Sequence, residues 1–265
     1  MTPRDEALYA SLGFRFGSGG PHASRTMMLD DLRTLLKHVP LDAERVAYAE
    51  AVIQENILGK PTRKTRELSW KYLQALYGFD ANPLFRALRR LWVLDEEAQP
   101  MLALTVTLAR DPLLRLTQPY YLDSVFGTLM RRESMEAFLE EQLSGRLSAA
   151  SLKSLAQNVA GSWTAAGILK GRARKVRSKP QATPGAVAMM LFMGYLEGRT
   201  GQRLFNSDWI ALLGCSVEEV EALASSASHR GLIVYMSAGG VKEVRFPGYL
   251  TAEEEQIRQE AMHVV

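Results

Sequence analysis

A chain of 265 residues, 47% of them apolar, is long enough for two or three small domains with real cores, which excludes wholesale disorder. Its single cysteine, Cys215, excludes an internal disulfide and a thiolate zinc site, and fits a reducing compartment. The formal charge is +3, yet no acid occurs in residues 142–196 while Arg146, Lys153, Lys170, Arg172, Arg174, Lys175, Arg177 and Lys179 all fall there; the remainder therefore sums to −5, a lopsidedness suited to binding a polyanion.

The N-terminus has no apolar core of signal-peptide length, and the longest nearly unbroken apolar run, 186–196, falls well below the roughly 18–20 residues that span a bilayer. A soluble cytoplasmic protein is expected. The early GFRFGSGGP segment alternates Phe14 and Phe16 like a short strand. A phosphate loop would need Gly-Lys-Ser/Thr, whereas the chain supplies Gly20-Pro21-His22.

From Ser24 the pattern is helical, with Met28, Leu32, Leu35 and Leu36 at 3–4 spacing up to Pro40. Asp42 is read as the cap of a second helix carrying Val46, Ala49, Ile53 and Ile57 and ending at Gly59; Thr62 caps a third, with Leu68, Tyr72, Leu73 and Leu76 as its stripe. Three helices with short turns predict a helix-turn-helix. The third helix opens with Lys60, Arg63, Lys64 and Arg66, against the preference of the helix dipole, which invites a functional reason such as DNA contact.

The segment Glu55-Asn56-Ile57-Leu58-Gly59-Lys60, with Thr62-Arg63-Lys64-Thr65-Arg66 and the helix to Tyr77, resembles the N-terminal signature of the BrxA family of BREX bacteriophage-exclusion systems. Trp163-Thr164-Ala165-Ala166-Gly167-Ile168-Leu169 is similar to the close of that family's middle helices, so the resemblance spans residues 24–176. It implies a part in restricting phage replication beside other BREX proteins. The family has also been filed as inner-membrane proteins, which the apolar run lengths here oppose.

Asn82 before Pro83 opens a helix with Arg86, Arg89 and Arg90 on its polar side. Asp95-Glu96-Glu97 starts the next, Asp111-Pro112 a short one, and helices follow over 120–130, 134–143, 149–159 (capped by Ser148) and 163–169. That last pair, leading into Lys170–Lys179, predicts a second helix-turn-helix whose basic wing is an extended hairpin with Arg172, Arg174 and Arg177 as a comb. In the last third, Thr183-Pro184 opens a helix whose Met189, Met190 and Met193 are read as core. Ser207 and the Ser216…Glu219 capping box start two more, and LIVYMS-AGG-VKEVRF reads as a β-hairpin: a winged-helix domain. Its second long helix opens with Glu218, Glu219 and Glu221, which phosphate repels, leaving Arg230, Lys242 and Arg245 for DNA contact. The tail from Thr251 is expected to form a short acidic helix.

His22, His38, His229 and His263 are dispersed, and the acidic pairs are sequence neighbours pointing about 100° apart, so no catalytic or metal cluster is expected. The expected fold is mainly α, with tandem helix-turn-helix and winged-helix units joined by a helical body and short β-hairpin wings. The expected domains are 1–94, 95–182 and 183–265. The expected function is non-enzymatic binding of double-stranded DNA with little sequence choice, through Lys60, Arg63, Lys64, Arg66, Lys170, Arg172, Arg174, Lys175, Arg177, Lys179, Lys242 and Arg245, with Gln157 and Asn158 as candidate base readers and no cofactor, metal, membrane or small-molecule substrate. The alternatives are an adaptor joining other defence proteins and an RNA-binding protein.

Overall fold

The computed structural model describes residues 3–262, so His263 lies outside the described residues. The chain is mainly helical, with two small antiparallel sheets. In order it runs α1 (Pro3–Ser11), a 3-10 turn (Pro21–Ala23), α2 (Leu29–His38), α3 (Arg45–Ile53), α4 (Arg63–Tyr77), α5 (Pro83–Leu94) and a 3-10 turn (Glu96–Ala98). Next come α6 (Gln99–Arg110), α7 (Pro112–Arg115), α8 (Gln118–Leu122), β1 (Leu129–Met130), α9 (Arg132–Gln142), α10 (Ala149–Ala165), β2 (Leu169–Lys170) and β3 (Lys175–Arg177). The last third holds α11 (Pro184–Leu196), α12 (Gln202–Phe205), α13 (Asp208–Ala211), α14 (Val217–His229), β4 (Val234–Ala238), β5 (Val241–Arg245) and α15 (Ala252–Met262).

The residues group into two compact units, each discontinuous in sequence. Unit 1 combines residues 1–15, 82–105 and 179–265; unit 2 combines 16–81 and 106–178. The reason is visible in unit 1. Arg86 and Arg90 of α5, expected on a polar face, instead hold the C-terminal segment: Arg86 donates to the Tyr249 carbonyl and pairs with Glu254, while Arg90 donates to the carbonyls of Pro247 and Gly231 and lies over the Tyr249 ring. Arg89 is buried. α11 is apolar all round and buried almost throughout, as a central helix must be, and its three methionines are core. Around it lie α5, α12, α13 and α14, and the β4–β5 hairpin packs on α14 and α12 with the register Val234↔Arg245 through Ala238↔Val241. Gly239 and Gly240, both at positive φ, make the two-residue turn that this register needs.

In unit 2 α2 and α3 differ from expectation, whereas α4 follows it. α2 starts only at Leu29, after Met28 takes a left-handed conformation (φ 52°). α3 is N-capped by Glu44, not Asp42, and stops at Ile53; Val46 is 60% exposed while Tyr48, Ala51 and Val52 face the core. Asn56 and Gly59, both at positive φ, take the chain round to α4. There Thr62 caps as expected: its Oγ1 accepts from Thr65 N–H at 3.2 Å, and its own N–H donates to Thr65 Oγ1. The helix expected over 120–130 ends at Leu122, because Gly127 turns the chain (φ 89°) and Leu129 and Met130 pair with β3. The two helices expected over 149–169 are the single α10, which runs through Gly161 to Ala165 before Gly167 (φ 81°) releases the chain into β2. The Phe14–Phe16 stretch forms no strand.

Candidate polyanion-binding site

The basic run does form antiparallel sheet, but not an extended comb. The strand order is β1-β3-β2, and Arg172 and Arg174 sit in the turn between β2 and β3. Gly171 makes that turn possible. At φ 102° it brings the Arg174 carbonyl to 2.0 Å from where a Cβ would stand.

The turn overhangs a cavity of about 490 Å³ between the sheet and helices α9 and α10. Arg131, Arg132, Arg172, Arg174 and Lys175 line it against one acid, Glu133. Arg132 is spent on Glu133 and Glu136. Arg172 and Arg174 are exposed and, among the described residues, make no side-chain hydrogen bond or ion pair. Glu133 is held below its ordinary range by a hydrogen bond from its own backbone N–H, with Arg132 and Arg131 adding to that effect. Lys175 donates to Thr164 Oγ1 at 2.7 Å, and its partial burial pulls the amine below its ordinary value. The field at the mouth is therefore positive. Arg131, absent from the residues expected to bind, belongs to this group; Gln157 lines the wall, whereas Asn158 donates to the His22 carbonyl and is structural.

The other expected ligands part company. Arg177 is 3% exposed: it donates to the carbonyls of Tyr121 (3.0 Å), Ile168 (3.3 Å) and Ser178 (2.6 Å) and lies over the Phe126 ring, so it is a strut and not a phosphate ligand. Lys170 is exposed beside the turn. Lys179 falls in unit 1, 2.9 Å from Glu219. At the start of α4, Lys60 pairs with Asp31 (2.8 Å) and Arg63 with Glu67 (2.9 Å), while Arg66 donates to the Ile53 and Gln54 carbonyls at the end of α3. Lys64 alone of that group makes no such contact among the described residues. On the hairpin of unit 1, Lys242 is half-buried against Glu221 and the Phe205 ring, and Arg245 pairs with Glu243. Acids thus pair with Lys60 and Arg63 at the start of α4 and with both cations of the second hairpin.

A second cavity of unit 2, about 690 Å³, is lined by Arg25, Arg33, Lys60 and Thr65 with Asp30 and Asp31. The two cavities meet at one wall: Gly161 of α10 lines the first, Thr26 lines the second, and a Cβ on Gly161 would come to 3.0 Å from Thr26 Cγ2. That close fit is what keeps a glycine mid-helix.

Below this surface the structure gathers three residues that the sequence disperses. His22 Nδ1 lies 2.7 Å from Asp111 Oδ2, and His22 Nε2 lies 2.7 Å from Ser162 Oγ. All three are buried, and none lines either cavity. Ser162 Oγ already accepts from Met27 N–H, and Asp111 accepts from the N–H groups of His22, Leu113 and Leu114, capping α7. Its hydrogen bonds make the cluster a buried bolt joining the 3-10 turn, α7 and α10. Cys215 is half-buried, and burial pushes its thiol pKa up, away from nucleophilic reactivity. Among the described residues no group of His, Cys, Asp and Glu could hold a metal ion, and no helix is long and apolar enough to cross a membrane. Set against family models, curated proteins and solved structures, the chain matches none.

Proposed function

We propose that the chain is a non-enzymatic DNA-binding protein that holds duplex DNA mainly by its phosphates, through the turn and cavity mouth of unit 2. The observation that carries this reading is the crowding of Arg131, Arg172 and Arg174 around one cavity whose single acid, Glu133, is already paired with Arg132. Cations held together but left without internal partners lower the cost of displacing counterions from a phosphate backbone. Lys170 and Lys64 extend the set. In this reading the β2–β3 turn is a wing laid on the backbone, α2–α4 form a helix-turn-helix, and α11–α14 with β4–β5 form a winged helix. Restriction of phage replication, as part of a BREX system, follows from the resemblance to the BrxA family alone.

Neutralising about four phosphates gives a slope of log affinity against log salt near −4. A mobility-shift titration of R172E/R174E tests it: the double variant should lose duplex binding, and a slope near zero for the unaltered protein would refute the phosphate model. Hairpin RNA as competitor separates DNA from RNA preference.

A second reading concerns unit 1. Lys179 and the hairpin cations Lys242 and Arg245 are neutralised internally, while Val241, Met236 and Val217 stand exposed, which favours contact with a partner protein over DNA there.

A further inference from the structure

The cavity under the β2–β3 turn is larger than phosphate contact alone requires, and part of its wall is apolar. Its volume lies in the small-ligand range, and no duplex enters a space of that size, since one major groove is already about 12 Å wide. Behind the arginines the wall is made by Tyr120, Leu129, Met130, Met135 and Leu169. Gln157 adds an amide, exposed and without a hydrogen bond among the described residues. Cations at the mouth, an aromatic and apolar interior and a free amide are the three parts needed to hold one unstacked nucleotide: phosphate outside, base face inside, base edge on an amide.

We infer that the cavity receives a single unpaired nucleotide. The inference rests on the polyanion reading of this surface and adds its substrate class. Two sources share that chemistry, an unstacked nucleotide of a DNA strand and a free mononucleotide. An extruded base is least costly to supply where pairing is already broken, so the protein should prefer DNA carrying a bulge.

Fluorescence anisotropy with a short blunt duplex, the same duplex with a one-nucleotide bulge, and deoxyadenosine monophosphate as competitor tests this. The bulged duplex is expected to bind about tenfold more tightly. Gln157→Ala should narrow that gap, and the mononucleotide should compete against the bulged duplex alone. Because Gln157 is exposed on α10, its truncation leaves the fold intact. Equal affinity for the two duplexes overturns the inference and leaves the phosphate reading standing. Binding of the mononucleotide with no binding of either duplex keeps the pocket, assigns it to the free nucleotide and overturns the DNA reading. No binding of any of the three overturns both.

Discussion

Replacing Asp111 by alanine removes the centre of the buried bolt in unit 2. The carboxylate accepts four hydrogen bonds, from His22 N–H (2.8 Å), His22 Nδ1 (2.7 Å), Leu113 N–H (2.9 Å) and Leu114 N–H (3.3 Å), and alanine supplies none of them. Breaking a buried charged pair costs about 3–5 kcal/mol, within which the lost α7 cap is about 1 kcal/mol. Urea denaturation followed by tryptophan fluorescence reads this out, since Trp70 and Trp163 both lie in unit 2. The midpoint should fall by roughly 1 M or more. The pH dependence has a defined sign. Burial alone would raise the Asp111 carboxyl, but the hydrogen bonds and charge of His22, with the backbone N–H groups of His22 and Leu114, outweigh it and hold the carboxyl below its ordinary value of 3.8. The stabilisation is therefore complete above that value and fades as pH falls through the lower folded-state pKa. Asp111→Asn should flatten this acid limb. A loss under about 1 kcal/mol in Asp111→Ala, with the acid limb unchanged, would refute the bolt.

Arginines of one run should separate by phenotype. Arg177→Ala strips three carbonyls of their donor and should cost about 2–4 kcal/mol, whereas Arg174→Ala should change stability by less than about 0.5 kcal/mol and weaken DNA binding; equal thermal shifts in the two would contradict the assignment. Gly171→Ala forces a side chain against the Arg174 carbonyl at positive φ, so it should cost more than about 1 kcal/mol and disorder the turn, seen as lost hydrogen-exchange protection at Val176. Thr62→Ala removes one half of a capping box and should cost about 1 kcal/mol; an unchanged urea midpoint would mean that Thr65 caps unaided.

Where a feature depends on neighbours in sequence, the chain displays it. Thr62, Asn82, Ser148, Thr183, Ser207 and Ser216 all read as helix caps, and each accepts the expected backbone hydrogen bond, because a cap is closed within three residues. The glycine turn of β4–β5 is of the same kind. Features that need a distant partner are invisible. His22 meets residues 89 and 140 positions away, and no spacing rule reaches so far. Arg177 and Arg174 look alike in KGRARKVRSK; only the carbonyls of Tyr121 and Ile168 make one a strut and leave the other at the surface. Asp31 cancels Lys60 from another helix, so a run of cations overstates the charge offered to a ligand. α3 shows the limit of periodicity: Val46 and Tyr48 are both apolar candidates, and only packing decides that Tyr48 turns inward.

The interleaving of the two units along the chain bears on synthesis. Everything unit 2 requires has left the ribosome once Ser178 emerges, whereas α1 and α5 find their packing partners, α15 and α11, only in the segment that follows. Until then Leu12, Leu84 and Leu88, all buried in the finished molecule, lack their final cover. Truncations removing α11 onward should thus leave a folded insert carrying two sticky flaps, prone to aggregate, and nascent chains stalled in that window should depend on chaperone shielding.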